Sequence, residues 1–388
     1  MEKMANLQQA VAGAQVGNLR GAIRAPGWHS FLRTIPHRLK PPVLLSLFMV
    51  ALTLGSSAVA NEPLHWSQLP PLPDALGVAG PFAGVSGDTL LVAGGANFPG
   101  RMLWEGGKKV WHDEVYGLTA KTNRWVQVGK LPRPLAYGVS ITTGQGLIII
   151  GGSDADRHYG EVYQLNYLDG KLLVKNLPAL PLPLANAAGA LVGSTIYVAG
   201  GSEHPGEQAA VSQVFSLALA EENPTWKQVP ACPGKARILP VAAAWKNAFY
   251  LFGGAALEAT NGKIARSYLH DAWRYQPELG WQRLADLPKP CVAGPTPAPK
   301  VGEDFLLVGG DDGALAGFQP PERHPGFPKL VLAYDVNGDR WYRHGEVPAP
   351  RATVPAVYWQ GLYVIPSGEM RPGVRSPEVW ALAARSEL

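Results

Sequence analysis

Residues 367–376 read SGEMRPGVRS, setting one carboxylate (Glu369) and two guanidiniums (Arg371 and Arg375) around Pro372-Gly373. A carboxylate can take and return a proton as a general base. A planar guanidinium holds an anion through two parallel hydrogen bonds, which lysine cannot copy. Glu369 and Arg375 lie six residues apart with a turn between them, so both side chains can be aimed into one space.

Such a pair needs a frame, and the frame is visible as a repeat. Short apolar runs end in Gly-Gly at residues 95, 152, 201, 254 and 310, and a sixth run, LYVIPSG, ends at residue 368 with Ser-Gly instead. The steps between them are 57, 49, 53, 56 and 58 residues. A period near 50 with four short strands per copy is that of a kelch-type β-propeller blade. The glycines suit a chain that must turn sharply with positive φ where backbones crowd near an axis.

Each copy continues with an aromatic on a third strand, then a tryptophan and a proline-rich exit. These are Tyr116 with Trp125, Phe215 with Trp226, Tyr275 with Trp281, and Tyr334 with Trp341; the second copy keeps Tyr163 but has Leu173-Val174 in place of tryptophan. Large rigid rings at a fixed phase read as filling between blades and not as ligand contacts. The sixth copy has Trp380 but stops before a fourth strand, and residues 65–73, HWSQLPPLP, look like the missing one. The fold expected is all-β: a six-bladed propeller over residues 61–388, its last blade closed by the N-terminal strand, which removes an open edge.

In that fold two sets of loops share one face, and loops on a rigid frame are where function is sought. Those after the double glycines carry Asn97 and Arg101, Asp154, Arg157 and His158, Glu203 and His204, Glu258, Asp311 and Asp312, and then Glu369, Arg371 and Arg375. Those leading into the inner strands carry Arg133, Tyr137, Arg237 and Arg351. Taken singly, most of these charges read as solvated loop residues. Glu369 and Arg375 differ because their loop is short and pinned by Pro372-Gly373.

Composition agrees with short strands and many turns: 45 Gly, 36 Pro and 12 Trp accompany only 16% charged residues. The formal charge of +4 is concentrated in the first 60 residues, which hold six Lys/Arg and one acid, against 28 basic and 29 acidic residues in the remainder. A nearly neutral body without a basic aromatic stripe argues against nucleic acid as a partner. The early excess belongs to an export segment over residues 1–60. Arg33, Arg38 and Lys40 precede an apolar run over residues 43–54, and Ala58-Val59-Ala60 offers a cleavage site after Ala60. The run is shorter than the roughly 20 residues that span a bilayer, so a periplasmic or secreted protein without a stable membrane partner is expected. Cys232 and Cys291, the two cysteines, make no metal framework; export permits a disulfide between them without requiring it.

Residues 77–100 (GVAGPFAGVSGDTLLVAGGANFPG), 135–152 (LAYGVSITTGQGLIIIGG) and 367–382 (SGEMRPGVRSPEVWAL) together resemble the kelch-type N-acetylneuraminate epimerases, or sialic acid mutarotases. The resemblance covers essentially the whole chain after the export segment, in altered order. In that family the GE-x-x-PG-x-R segment precedes the GVAG-FAG segment, and here it comes last, as in a cyclically permuted branch; moving the cut in a ring of blades to another loop is tolerated. The resemblance implies an isomerase that needs no metal or organic cofactor and acts on a small sugar acid. It carries the functional Glu and Arg onto Glu369 and Arg375, with Glu369 as base and Arg375 holding the substrate carboxylate. Arg371, Arg351, Asn97 and Tyr137 are the further candidates for substrate binding. Three departures touch the choice of sugar: Leu135 stands where the family has Arg, Ser153-Asp154 replaces a Glu after Gly-Gly, and the loop after Gly95 is shorter. The fold alone implies no activity, so a non-catalytic glycan-binding or interaction propeller is the alternative. A copper radical oxidase, which also uses kelch blades, fits less well, because both cysteines lie beside prolines at blade exits and no His pair has ligand spacing.

Overall fold

The apolar runs that end in double glycines are continuously hydrophobic, not alternating, which means both of their faces are covered. In the computed structural model, which describes residues 63–206, 209–260 and 263–383, both faces are covered by neighbouring blades. Six four-stranded antiparallel sheets follow one another along the chain. The innermost strands are Phe82–Ser86, Val139–Thr143, Ala185–Val192, Val241–Trp245, Lys300–Val301 and Val357–Trp359, in blades 1 to 6. The strand Trp66–Leu69 pairs antiparallel with Val379–Ala383 and completes blade 6, as the sequence predicts. The expected export segment, residues 1–60, lies outside the described residues.

The core is divided among the wedges between blades. Leu90, Trp125, Val357 and Trp359 pack together between blades 1 and 6; Phe82, Leu91, Leu147 and Tyr163 between blades 1 and 2; Phe252, Phe305 and Tyr334 between blades 4 and 5. A fully buried residue of this size contributes about 1.5–3 kcal/mol. Outer-strand tryptophans also latch backward: the indole N–H of Trp226 donates to the Pro178 carbonyl at 2.7 Å, that of Trp281 to Pro230 at 2.7 Å, and that of Trp341 to Ala285 at 2.8 Å. The aromatics are therefore core, as expected. Blade 2, with Leu173 and Val174 on its outer strand, has no such latch, and both side chains are exposed.

Two rings of backbone hydrogen bonds join the blades near the axis. In the first, residues Gly80, Tyr137, Asn186, Leu239, Ala293 and Thr353 each donate their N–H to the equivalent carbonyl of the preceding blade, and Gly80 donates to Thr353 to close the circle, at 2.7–2.9 Å. All six have φ between 53 and 65°, a left-handed conformation that costs an L-residue roughly 1–2 kcal/mol. The closed ring of bonds holds them there. In the second, the second glycine of each pair donates to a carbonyl of the next blade, for example Gly95 to Leu135 at 2.9 Å and Gly152 to Leu184 at 2.7 Å. That approach explains the glycines: a Cβ at Gly94 would stand 2.3 Å from the Leu135 carbonyl oxygen and one at Gly151 2.4 Å from that of Leu184.

Cys232 and Cys291 are free thiols, so the permitted disulfide is not formed.

Candidate functional site

Glu369 and Arg375 belong to a small hairpin, Glu369–Arg371 paired with Val374–Arg375, in which they are direct cross-strand partners. Gly373 at φ 80° supplies the positive φ that a Pro-Gly turn of type II needs at its second central residue. Cross-strand partners point to the same face of a hairpin, and a bulge between Glu369 and Arg371 is what sets Glu369 opposite Arg375: Arg375 Nη2 lies 3.0 Å from Glu369 Oε1. The hairpin is held to the frame by reciprocal backbone bonds between Glu369 and Ala352, each 2.9 Å.

The pair is asymmetric. Arg375 is enclosed, with 4% of its side chain exposed; its Nε–H donates to the Ala96 carbonyl at 3.3 Å and its guanidinium covers the Phe98 ring at 4.7 Å. Its Nη1 is buried without a partner. Glu369 keeps 19% of its side chain open and faces a cavity of about 680 Å³ at the mouth of the propeller, within the size range of small-ligand sites. Burial dominates its titration and pushes its carboxyl above the usual Glu value, against the pull of Arg375, Lys109 and Arg266 and with a small push from Asp311.

The cavity floor is part of the left-handed ring: Tyr137, Asn186, Leu239 and Thr353 all line it. Below the ring the axis narrows to about 50 Å³ between small residues such as Gly138, Gly189 and Gly294, too small for a sugar. The hydroxyl of Tyr137 is buried without a partner. On the walls are Lys109, Trp111, Asp154, His158, His204 and Arg266. His158 Nδ1 lies 2.8 Å from the Ser202 carbonyl, an acceptor only, so Nδ1 carries a proton. Burial works against ionisation of Asp154, but the Tyr159 hydroxyl, the N–H groups of Asp156 and Arg157, and the Arg157 charge together hold its carboxyl below the usual Asp value.

Of the six residues expected at the site, Glu369 and Tyr137 line the cavity and Arg375 stands directly behind Glu369. The other three are occupied elsewhere. Arg351 is 3% exposed and pairs with Glu378 at 2.5 Å and with the Ser376 hydroxyl at 3.0 Å. The same staple recurs at Arg237, which pairs with Asp271 at 2.6 Å; it ties the lead-in of an inner strand to the start of the third strand of its blade. Asn97 is 1% exposed, donating to Asp74 and the Gly77 carbonyl and facing His112 Nε2 at 2.9 Å. Arg371 points to the opposite side of the hairpin and donates to the Glu322 carbonyl at 2.7 Å. Lys109, Trp111, Asn186 and Arg266 were not anticipated. Asn186 was findable, because it occupies in LANAAGA the place that Tyr137 has in LAYGVSI. Lys109 and Arg266 sit in segments that follow no repeat.

A family model described as N-acetylneuraminate epimerase matches residues 52–174 and 177–318. Among curated relatives, the N-acetylneuraminate epimerase of Salmonella enteritidis PT4 is 38% identical over 163 residues, 38% of this chain and 40% of that one. That of Salmonella arizonae is 43% identical over 131 residues, 30% and 33% of the two chains, and that of Brucella suis 44% over 131 residues with the same shares. The matched part thus spans about 40% or less of each relative's length. The family match ends before the Glu369 hairpin.

Proposed function

Because this chain belongs to the N-acetylneuraminate epimerase family, we propose that it is a mutarotase that interconverts the anomers of N-acetylneuraminate or a similar acidic sugar. The observation that carries this reading is a carboxyl raised by burial that opens onto a cavity of about 680 Å³, large enough to admit a monosaccharide. A raised carboxyl is poised to take up and release protons closer to neutrality than a free one. Glu369 accepts the proton of the anomeric hydroxyl, the bond from the anomeric carbon to the ring oxygen breaks, and Glu369 passes that proton on to the ring oxygen. The open keto form rotates, its hydroxyl attacks the opposite face of the carbonyl, and the protons return. A permuted order of blades accounts for a family match that stops short of the hairpin.

Exchange spectroscopy by NMR on N-acetylneuraminate tests the reading. The wild type accelerates exchange between anomers, and Glu369→Gln loses about 10²–10⁴ of that rate. Equal acceleration by both rules out Glu369 as the base. Binding without acceleration by the wild type rules out the reaction and leaves a glycan-binding propeller. The basic-then-apolar stretch before Asn61 supports action in the periplasm or outside the cell; sequencing the N-terminus of protein from fractionated cells tests that, with Asn61 expected first.

A further inference from the structure

If the substrate carboxylate lay on Arg375, one guanidinium would serve two carboxylates, its own partner Glu369 at 3.0 Å and the ligand's. Like charges brought that close disfavour each other's ionisation, and Arg375 is not among the residues that line the cavity. Its remaining donor, Nη1, is enclosed by protein.

The cavity has two cations of its own, Lys109 and Arg266. Neither forms an ion pair with a carboxylate among the described residues. Lys109 Nζ lies 5.3 Å from the centre of the Trp111 ring and 4.9 Å from that of Tyr137, contacts that orient the ammonium without neutralising it. Arg266 projects from the hairpin Ala255–Thr260 and Lys263–Tyr268, opposite Leu257, which lines the same cavity. The unpartnered hydroxyl of Tyr137 is a further hydrogen-bonding group in the wall beneath Lys109. Anomeric hydroxyl and carboxylate share one carbon in a sialic acid, so the group that binds the carboxylate must lie on the Glu369 side of the cavity. Both cations line the same cavity as Glu369, and each acts electrostatically on it.

We propose that Lys109 and Arg266 bind the carboxylate of the sugar acid, and that Arg375 is a positioning residue that holds Glu369 from behind. The assignment rests on the mutarotase reading for its substrate. It implies that acidic sugars are selected by two segments outside the repeat.

The test compares N-acetylneuraminate with its methyl ester on wild type, Lys109→Met, Arg266→Met and Arg375→Gln, by anomer-exchange NMR and by calorimetric binding. Losing either cation is expected to raise KM and Kd for the acid roughly tenfold or more, with kcat changed less than about threefold and ester binding unchanged. Arg375→Gln is expected to lower kcat and move the acid limb of the pH profile upward, with KM nearly constant. The proposal is overturned if Arg375→Gln raises KM while the two cation variants do not. If the wild type accelerates nothing, the mutarotase reading fails but calorimetry still decides: acid-selective binding lost in the Lys109 and Arg266 variants supports the site. Binding indifferent to those variants, or no binding of the acid to wild type, overturns it.

Discussion

The hydroxyl of Ser367 in the last blade accepts the N–H of Val78, at the lead-in of the first, over 2.8 Å. The same oxygen lies 2.9 Å from the Val78 carbonyl and 2.7 Å from that of Ser376, which share its one proton. The irregular Ser-Gly that marks the loaded hairpin thus sits on the seam where the ring closes. It also stands in a left-handed conformation, φ 70°, that the five other blades give to glycine.

Ser367→Ala leaves a buried N–H without its acceptor and keeps the unfavourable φ, so a loss of about 1–3 kcal/mol is expected in urea unfolding. Ser367→Gly removes the same bonds but relieves the backbone, and its loss should be smaller by about 1 kcal/mol. The opposite order would show that the hydroxyl is not what holds the seam.

Activity should fall on acidification with a midpoint above the ordinary Glu range near 4.3. The base must be ionised to act, and burial raises Glu369, so protonation disables it earlier than it would a free carboxyl. Removing the Arg375 charge takes away the leading opposing influence and should move the midpoint higher still. A pH–rate profile on wild type and Arg375→Gln checks both.

Arg237 is 1% exposed and paired with Asp271, and it is not among the residues that line the cavity. Arg237→Met strands a largely enclosed carboxylate, 14% exposed, and should cost up to about 3 kcal/mol while leaving KM of the folded fraction unchanged. Burial opposes ionisation of Asp271, but Arg237 and Trp273 bring its carboxyl below the usual Asp value. The pair's contribution is therefore present above the unfolded pKa near 3.9 and is lost as pH falls through the folded value. Denaturation series at neutral and acidic pH should show that loss in wild type and not in Asp271→Asn.

Burial pushes the thiol of Cys232 up to about 11 and that of Cys291 up to about 12. Only the thiolate reacts, so a disulfide-exchange reagent at pH 8 should label the native protein far more slowly than free cysteine. After denaturation both thiols should titrate without prior reduction, since neither is paired.

The sequence alone determined the six blades, because Gly-Gly at a period near 50 answers a local steric demand that recurs in five blades and is met by Ser-Gly in the sixth. It also singled out Glu369 and Arg375 on a loop pinned by Pro372-Gly373, but not that they face each other: counting back from the two-residue turn sets Met370 opposite Arg375, and a bulge between Glu369 and Arg371 shifts Glu369 into that place. It did not reveal that Arg351 and Asn97 are spent on Glu378 and on Asp74 with Gly77, because an arginine free for ligand and one locked to a carboxylate are identical until the chain is folded. Nor did it reveal Lys109 and Arg266, which reach the cavity from segments that break the repeat. Which charges meet at the axis depends on contacts between residues hundreds of positions apart, and only the closed ring decides them.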